Sequence, residues 1–298
     1  MEPAPPIAAQ VAAFLDARPG ELAWRWLGPR EGPTALWEVR APARRVIVKR
    51  HLRGRGFAQE HAAYRALARP LARWLPELLA ADPPLGLLVL TYLPGLPASE
   101  PSLTPVPDTL APARDPTPIH HEAGAFLRAL HEAHLPGADD PLPLAEALRR
   151  RCAAALRRAA ALVPAGDLDR LAARVARTRA FDDAPRLPAH RDFGPWNWRY
   201  DPSAARLGVL DWEHARPDAA VVDRVRLRVD AWARRPDLAA AFDRGYGRPQ
   251  GDREEEQLDL LCHLHAVATL AWSARHGDTA LAAAARDELD RHAGRPAR

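Results

Sequence analysis

The hydrophobic pattern of this chain changes once, and that change limits the folds open to it. From Glu21 to about Leu93 the sequence runs in short β-type stretches, ELAWRWL, TALWEVRA, RRVIVKRHL, PELLAAD and GLLVLTYL, set apart by Gly and Pro. One helical pattern, GFAQEHAAYRALARPLARWL, interrupts them. From Ile119 onward apolar residues recur every three or four positions, as in IHHEAGAFLRALHEAHL, PLAEALRRRCAAALRRAAALV and DLDRLAARVARTRAF. A strand-like insert from Leu187 to about Asp211 breaks the helical run. The order predicts an α+β fold of two lobes. Residues 1–93 form a small antiparallel sheet with one helix, and residues 94–298 a larger, mostly helical lobe. A length of 298 residues agrees, because single cores stop growing near about 250–300 residues. Residues 94–117, PGLPASEPSLTPVPDTLAPARDPT, are too rich in proline for a regular element and read as a connector or mobile loop. Asp252 with Glu255 has capping-box spacing, and Asp278 marks a second helix start.

Charge and cysteine content narrow the function classes. The net charge is +4 and the isoelectric point near 9.5, but arginines and carboxylates are interspersed, with no basic block of the nucleic-acid-binding kind. Cys152 and Cys262 are the two cysteines, and no CxxC or Cys/His spacing supports a disulfide framework or a zinc site. The N-terminal stretch lacks a basic region and carries Glu2 and Asp16, unlike a signal peptide. No apolar run approaches the roughly 20 residues that span a bilayer. A cytoplasmic protein without nucleic-acid or membrane partners is expected.

Apart from Met1, two residue types occur once each, and each singleton lies in a pattern that carries chemistry. Lys49, in RVIVKRHL, is the sole lysine in a chain whose other basic side chains are arginines. An ammonium is a compact point charge, whereas a guanidinium is a wide planar fork, so a narrow phosphate site can accept one and reject the other. Asn197, the sole asparagine, closes HRDFGPWN, which matches H-R-D-x-x-x-x-N, the kinase catalytic-loop pattern. In such a loop Asp192 can accept a hydroxyl proton, and an amide carbonyl five residues on can ligate Mg²⁺ without adding charge. Nineteen residues after Asp192, the apolar stretch LGVL delivers Asp211, a second hard oxygen ligand. Lys49 would pair with Glu60 in the following helix and hold nucleotide phosphates.

The phosphate-covering turn is poorly matched. LGPREGPTALWEV has Gly28 and Gly32 without G-x-G-x-x-G, and Thr34 there is either a phosphate donor or a turn residue. An adenine would sit against LLVLTYLPG, bonding near Thr91 and Leu93, with Val48 and Leu90 as apolar walls. Trp196, Trp198 and Trp212 could stack on a ring-shaped acceptor or belong to the core. His263 and His265 are two apart on a helix and should face different ways. The acidic run from Asp252 to Glu256 could recognise an amine or simply start a solvated helix.

Taken in order, Lys49, Glu60, TYLPG, LRALHEAH, HRDFGPWN and VLDWEHARPDAAVVD resemble the aminoglycoside phosphotransferase family, small-molecule kinases with a protein-kinase-like fold. The resemblance spans about residues 22–235. It implies an ATP-binding cleft between lobes, Asp192 as catalytic base, Asn197 and Asp211 as Mg²⁺ ligands, Lys49 on phosphate and Glu60 orienting it. Asp223 would brace the catalytic loop. Departures are Arg191 where the family usually has Gly, the weak nucleotide loop, and Trp-Glu after Asp211 where protein kinases place Phe-Gly. The expected activity is transfer of the γ-phosphoryl group of ATP to a hydroxyl of a small molecule, an aminoglycoside or other antibiotic on family grounds. The alternatives are a metabolic kinase for an amino alcohol or sugar, and a kinase-like binding module without turnover.

Overall fold

The computed structural model describes residues 2–28, 32–52, 54–98, 115–135 and 142–295. It opens on a helix that the sequence reading did not place, α1 (Pro5–Phe14), with proline in its first turn where no N–H is needed. Strands β1 (Ala23–Trp26), β2 (Thr34–Arg40) and β3 (Arg45–His51) follow as an antiparallel meander. Helix α2 (Gly54–Leu67) comes next, then β4 (Leu78–Asp82) and β5 (Leu87–Thr91). The sheet order is β1-β2-β3-β5-β4, all pairs antiparallel. The pattern predicted α2 through Leu75. It stops at Leu67 because the Pro70 ring cannot continue a helix, and residues 68–75 turn instead.

A two-residue strand, β6 (Leu96–Pro97), lies inside the stretch expected to be irregular. It gains order by pairing with β7 (Trp198–Asp201), which pairs in turn with β8 (Arg206–Val209). Residues 99–114 of that stretch lie outside the described residues. Gly95 makes the approach possible: its φ is +100°, and a Cβ there would stand 2.5 Å from the Tyr200 carbonyl oxygen. The helical part comprises α3 (Thr117–Glu132), α4 (Leu144–Ala159), α5 (Ala165–Arg177), α6 (Val225–Val229), α7 (Ala231–Arg234), α8 (Asp237–Tyr246), α9 (Asp252–His276) and α10 (Thr279–His292). Asp278 caps α10 by accepting from Leu281 N at 2.9 Å. At α9 the cap lies one residue earlier than the spacing suggested: Gly251 is the N-cap, and its N–H donates to Glu254.

Three apolar cores hold these layers. Val39, Val46, Val48 and Val89 on one face of the sheet pack with Ile7 and Val11 of α1. Phe57 and Tyr64 of α2 join Leu88 and Leu90 of β5 to Phe126, Trp198 and Trp212. A third core lies among α4, α5, α9 and α10. Because β5 is covered on both faces, it reads as a continuous apolar run rather than an alternation. No helix among the described residues is long and apolar enough to cross a membrane.

Candidate active site

Alternation along β3 sends Val46 and Val48 into the α1 core and turns Ile47, Lys49 and His51 to the other face. Lys49 Nζ lies 2.6 Å from Glu60 Oε2 and 2.6 Å from Asp211 Oδ1. Glu60 is wholly buried on α2, where it also accepts from Trp212 N at 3.3 Å and meets His51 Nε2 at 2.7 Å. Burial by itself would lower the Lys49 pKa, but the two carboxylates outweigh it and hold the ammonium above its ordinary value. For Asp211 burial pushes upward, and Lys49 overrides it to leave the carboxyl below its ordinary range. Asp211 follows β8 with φ +67°, a left-handed turn that Asp tolerates better than most residues.

The loop from His190 to Asn197 is fixed from behind. Buried Asp223 accepts from His190 N at 2.8 Å and Arg191 N at 2.6 Å, the bracing expected of it. Burial raises the Asp223 pKa, while these hydrogen bonds and His190 pull the other way. His190 Nε2 lies 2.9 Å from Leu210 O and its Nδ1 accepts from Asp192 N at 3.3 Å, which fixes the tautomer with the proton on Nε2 and ties the loop to the end of β8. Asn197 Nδ2 donates to Asp192 O at 2.8 Å and to Asp192 Oδ2 at 3.0 Å. The amide nitrogen is thereby occupied, and the neutral carbonyl oxygen is the atom suited to a cation. Arg191 adopts φ +67° where glycine would be unstrained; its side chain reaches buried Asp218, with Nε 2.9 Å from Oδ2, and Arg151 of α4 pairs with the same carboxylate at 3.1 Å.

Between sheet and helices lies a cleft of about 720 Å³. Every cofactor and metal candidate read from the sequence lines it: Thr34, Lys49, Glu60, Thr91 and Leu93 from the sheet side, Asn197 and Asp211 from the other. Thr91 uses its hydroxyl to accept from Glu77 N, and Leu93 O accepts from Arg199 Nε at 3.1 Å. Val48 does not line the cleft; the strand's period of two puts Ile47 there in its place, opposite Leu90. Gly28 lines it too, while Pro29 to Glu31 of the turn lie outside the described residues. Trp198 and Trp212 are core residues, whereas Trp196 is exposed at the cleft with the Arg226 guanidinium over its ring at 5.1 Å. Asp192 is half-buried beside the cleft rather than in its wall.

The family model described as "Phosphotransferase enzyme family" matches residues 33–261, more than three quarters of the chain. The chain belongs to that family. Solved structures extend the likeness to the whole fold of this phosphotransferase. A choline/ethanolamine kinase family protein from Mesorhizobium loti is 20% identical, covering 97% of this chain and 93% of its own, with a TM-score of 0.70. The streptomycin-ATP-APH(2")-IIa ternary complex is 12% identical over 98% and 97%, TM-score 0.68. A macrolide 2'-phosphotransferase type I is 18% identical over 97% and 98%, TM-score 0.66. No curated protein matches the chain by sequence.

Some neighbours of the site had no sequence signal. Arg226 of α6 places a guanidinium nitrogen 3.1 Å from Asp192 Oδ1. Glu213 Oε2 lies 3.4 Å from His51 Nδ1. His51, Glu60 and Glu213 are the group among the described residues whose ligand atoms come within 4.8 Å of one another. Both Glu60 oxygens are already engaged there, Oε2 by Lys49 and His51 and Oε1 by Trp212 N, which leaves neither free for a cation. The paired histidines of α9 part as expected: buried His263 stacks on His292 at 4.5 Å, and His265 meets Thr269. In the acidic run, Glu254 pairs with Arg248 at 2.7 Å and Glu255 with Arg228. Cys152 and Cys262 are buried free thiols.

Proposed function

We propose that this phosphotransferase is a cytoplasmic kinase that moves the γ-phosphoryl group of ATP to a hydroxyl of a small molecule, with antibiotics, aminoglycosides among them, the acceptors that its relatives' names suggest. The observation that carries the reading is the Lys49 ammonium held at 2.6 Å by both Glu60 and Asp211 within a cleft of nucleotide size. In it, residues 1–93 supply the nucleotide side and residues 94–298 the acceptor side. Lys49 binds phosphate oxygens and Glu60 orients it; Thr34 donates to phosphate. Ile47 and Leu90 flank the adenine, whose edge bonds to backbone near Thr91 and Leu93. The ATP bound in the streptomycin ternary complex supports the choice of nucleotide.

Asn197 and Asp211 are the residues that would hold Mg²⁺. The donor set fits, being one neutral carbonyl oxygen and one carboxylate kept ionised by Lys49. The bound ion supplies charge neutralisation on the nucleotide phosphates. Asp192 accepts the acceptor's hydroxyl proton as the new O–P bond forms and the bond from phosphorus to the ADP oxygen breaks. Asn197 holds Asp192 in place through Oδ2. The amino-alcohol alternative has one observation in its favour, the likeness to the choline/ethanolamine kinase family protein.

The test is acceptor-dependent ADP release from Mg-ATP, run beside Asp192→Asn. The variant should keep ATP affinity within about threefold and lose at least roughly 10²-fold in turnover, the low end of general-base catalysis. Parental turnover in the variant would remove Asp192 from the role of base.

A further inference from the structure

A second cavity, of about 460 Å³, lies among α4, α6 and α9 and meets the catalytic loop at Arg191, the neighbour of Asp192. Asp192 stands between the two: its Oδ2 is bonded to Asn197, which lines the cleft, and its Oδ1 faces Arg226, which lines the second cavity. Oδ1 is buried, and the Arg226 nitrogen 3.1 Å away is not aligned to donate a hydrogen bond to it. The cavity has a cationic wall of Arg151, Arg158, Arg191 and Arg226, and an apolar floor that includes Leu261 and Leu264. No carboxylate of the described residues lines it. Four guanidiniums thus face two nearby carboxylates. Arg151 and Arg191 share Asp218, Arg226 faces Asp192, and Arg158, exposed on α4, has no acidic partner among the described residues. His265, also on the wall, is held down to about 4, by burial first and the Arg226 charge second, so it adds no positive charge at neutral pH.

We propose that this cavity is the acceptor site and that, in place of the aminoglycoside acceptors suggested by the relatives' names, the acceptor is a small hydroxyl compound bearing an anionic group, a carboxylate or a phosphate, gripped by Arg158, Arg191 and Arg226. The proposal rests on Asp192 as the base, since the acceptor hydroxyl must then reach a carboxylate whose neighbours Arg191 and Arg226 both line this cavity. Guanidiniums bind carboxylate and phosphate through paired, charge-assisted hydrogen bonds, and the apolar floor suits the carbon skeleton. A polyamine would instead meet an unbalanced positive wall and be repelled by it. An anion drawing Arg226 toward itself also frees Asp192 Oδ1 to take the hydroxyl proton.

The deciding experiment compares three sets of acceptors of similar size with the full chain and Mg-ATP: hydroxy acids and sugar phosphates, neutral sugars, and aminoglycosides with choline. ADP release is read together with calorimetric binding of each compound to the protein loaded with a non-hydrolysable ATP analogue. Turnover or binding confined to the anionic set is expected, with the hydroxy-acid and sugar-phosphate arms telling carboxylate from phosphate. Arg158→Glu, at an exposed helix position that tolerates substitution, should raise the KM of the anionic acceptor, or its Kd where binding is the readout, by about tenfold or more, well beyond any change in the KM for ATP. Turnover in the cationic or neutral set, or no binding by any anionic compound, overturns the proposal. If such turnover disappears in Asp192→Asn the kinase reading stands and this inference alone falls; if it persists, the kinase reading falls with it.

Discussion

An ammonium with two carboxylate oxygens at 2.6 Å, on a side chain only 9% exposed, leaves little room for a larger cation. A guanidinium at position 49 would spread its charge over a plane several ångströms wide and could keep Glu60 or Asp211 but not both in the present arrangement. Lys49→Arg is therefore expected to raise the KM for ATP by about tenfold or more, equivalent to roughly 1.4 kcal/mol of lost binding, while the acceptor KM moves little. Steady-state kinetics with ATP varied would show it, and unchanged ATP kinetics would reduce the lone lysine to an accident of base composition. At this scale the sequence was informative where the chemistry tolerates one residue type: Lys49, Asp192, Asn197 and Asp211 are brought together around one cleft as their spacing suggested. Arg226 was invisible for the opposite reason. It is one arginine among many, and its contact with Asp192 crosses more than thirty residues that follow no fixed spacing. His51 and Glu213 meet only because β3 and the segment after β8 converge on Glu60.

Helix α3, which reaches the catalytic loop through Phe126, packs closely on α8 through two glycines. A Cβ on Gly124 would stand 2.0 Å from Phe242 O and 2.7 Å from Tyr246 N, and one on Gly245 would stand 1.8 Å from His121 O. These are backbone atoms, so no side-chain rotation relieves the overlap and the helices must separate. Gly124→Ala should thus destabilise the protein by about 1–3 kcal/mol, although alanine gains up to roughly 1 kcal/mol in intrinsic helix propensity. Phe126, two residues on, stacks at 5.3 Å on Phe193, the neighbour of Asp192, so turnover should fall along with the denaturation midpoint. A denaturant titration giving a midpoint at or above the parent's would refute the close-packing argument. The individual elements were readable because the apolar period shows in the sequence. Their limits were less so. α2 shortens at Pro70, and β6 exists only because β7 offers it a partner from a hundred residues away. Helix α1 was missed because it is short, and what holds it is the sheet face against which Ile7 and Val11 pack.

Across the whole molecule, the sheet-first, helix-second order carried the fold class, while the way the halves join did not follow from it. The joining core takes Tyr64 from α2, Leu88 from β5 and Trp198 from β7, residues whose common burial no local pattern states. Packed around that framework are histidines that stay neutral. His120, on α3, accepts from Trp232 Nε1 at 3.2 Å, and burial lowers its pKa to about 4; His131, His263 and His265 are likewise lowered to about 4, chiefly by burial. A depressed folded value means that the unfolded chain binds the proton first. The contribution of each is therefore complete above its ordinary value of 6.5, and it is lost as pH falls from there toward 4. For buried His120 the loss amounts to up to about 3 kcal/mol across that window. Carboxylates do not obscure the upper part of it. Glu38, Glu254 and Glu288 are held down to about 2 from an ordinary 4.5, so their contribution begins to fail only below that ordinary value. The melting temperature should consequently drop between pH 6.5 and 4.5, with the upper part of the drop preceding most carboxylate protonation. His120→Asn, whose amide oxygen can still accept from Trp232 but takes no proton, should flatten that drop. A melting temperature that stays level from pH 6.5 to 4.5 in the parent protein would mean that these imidazoles are hydrated or charged in the fold, and that the helical half is less tightly closed than its packing indicates.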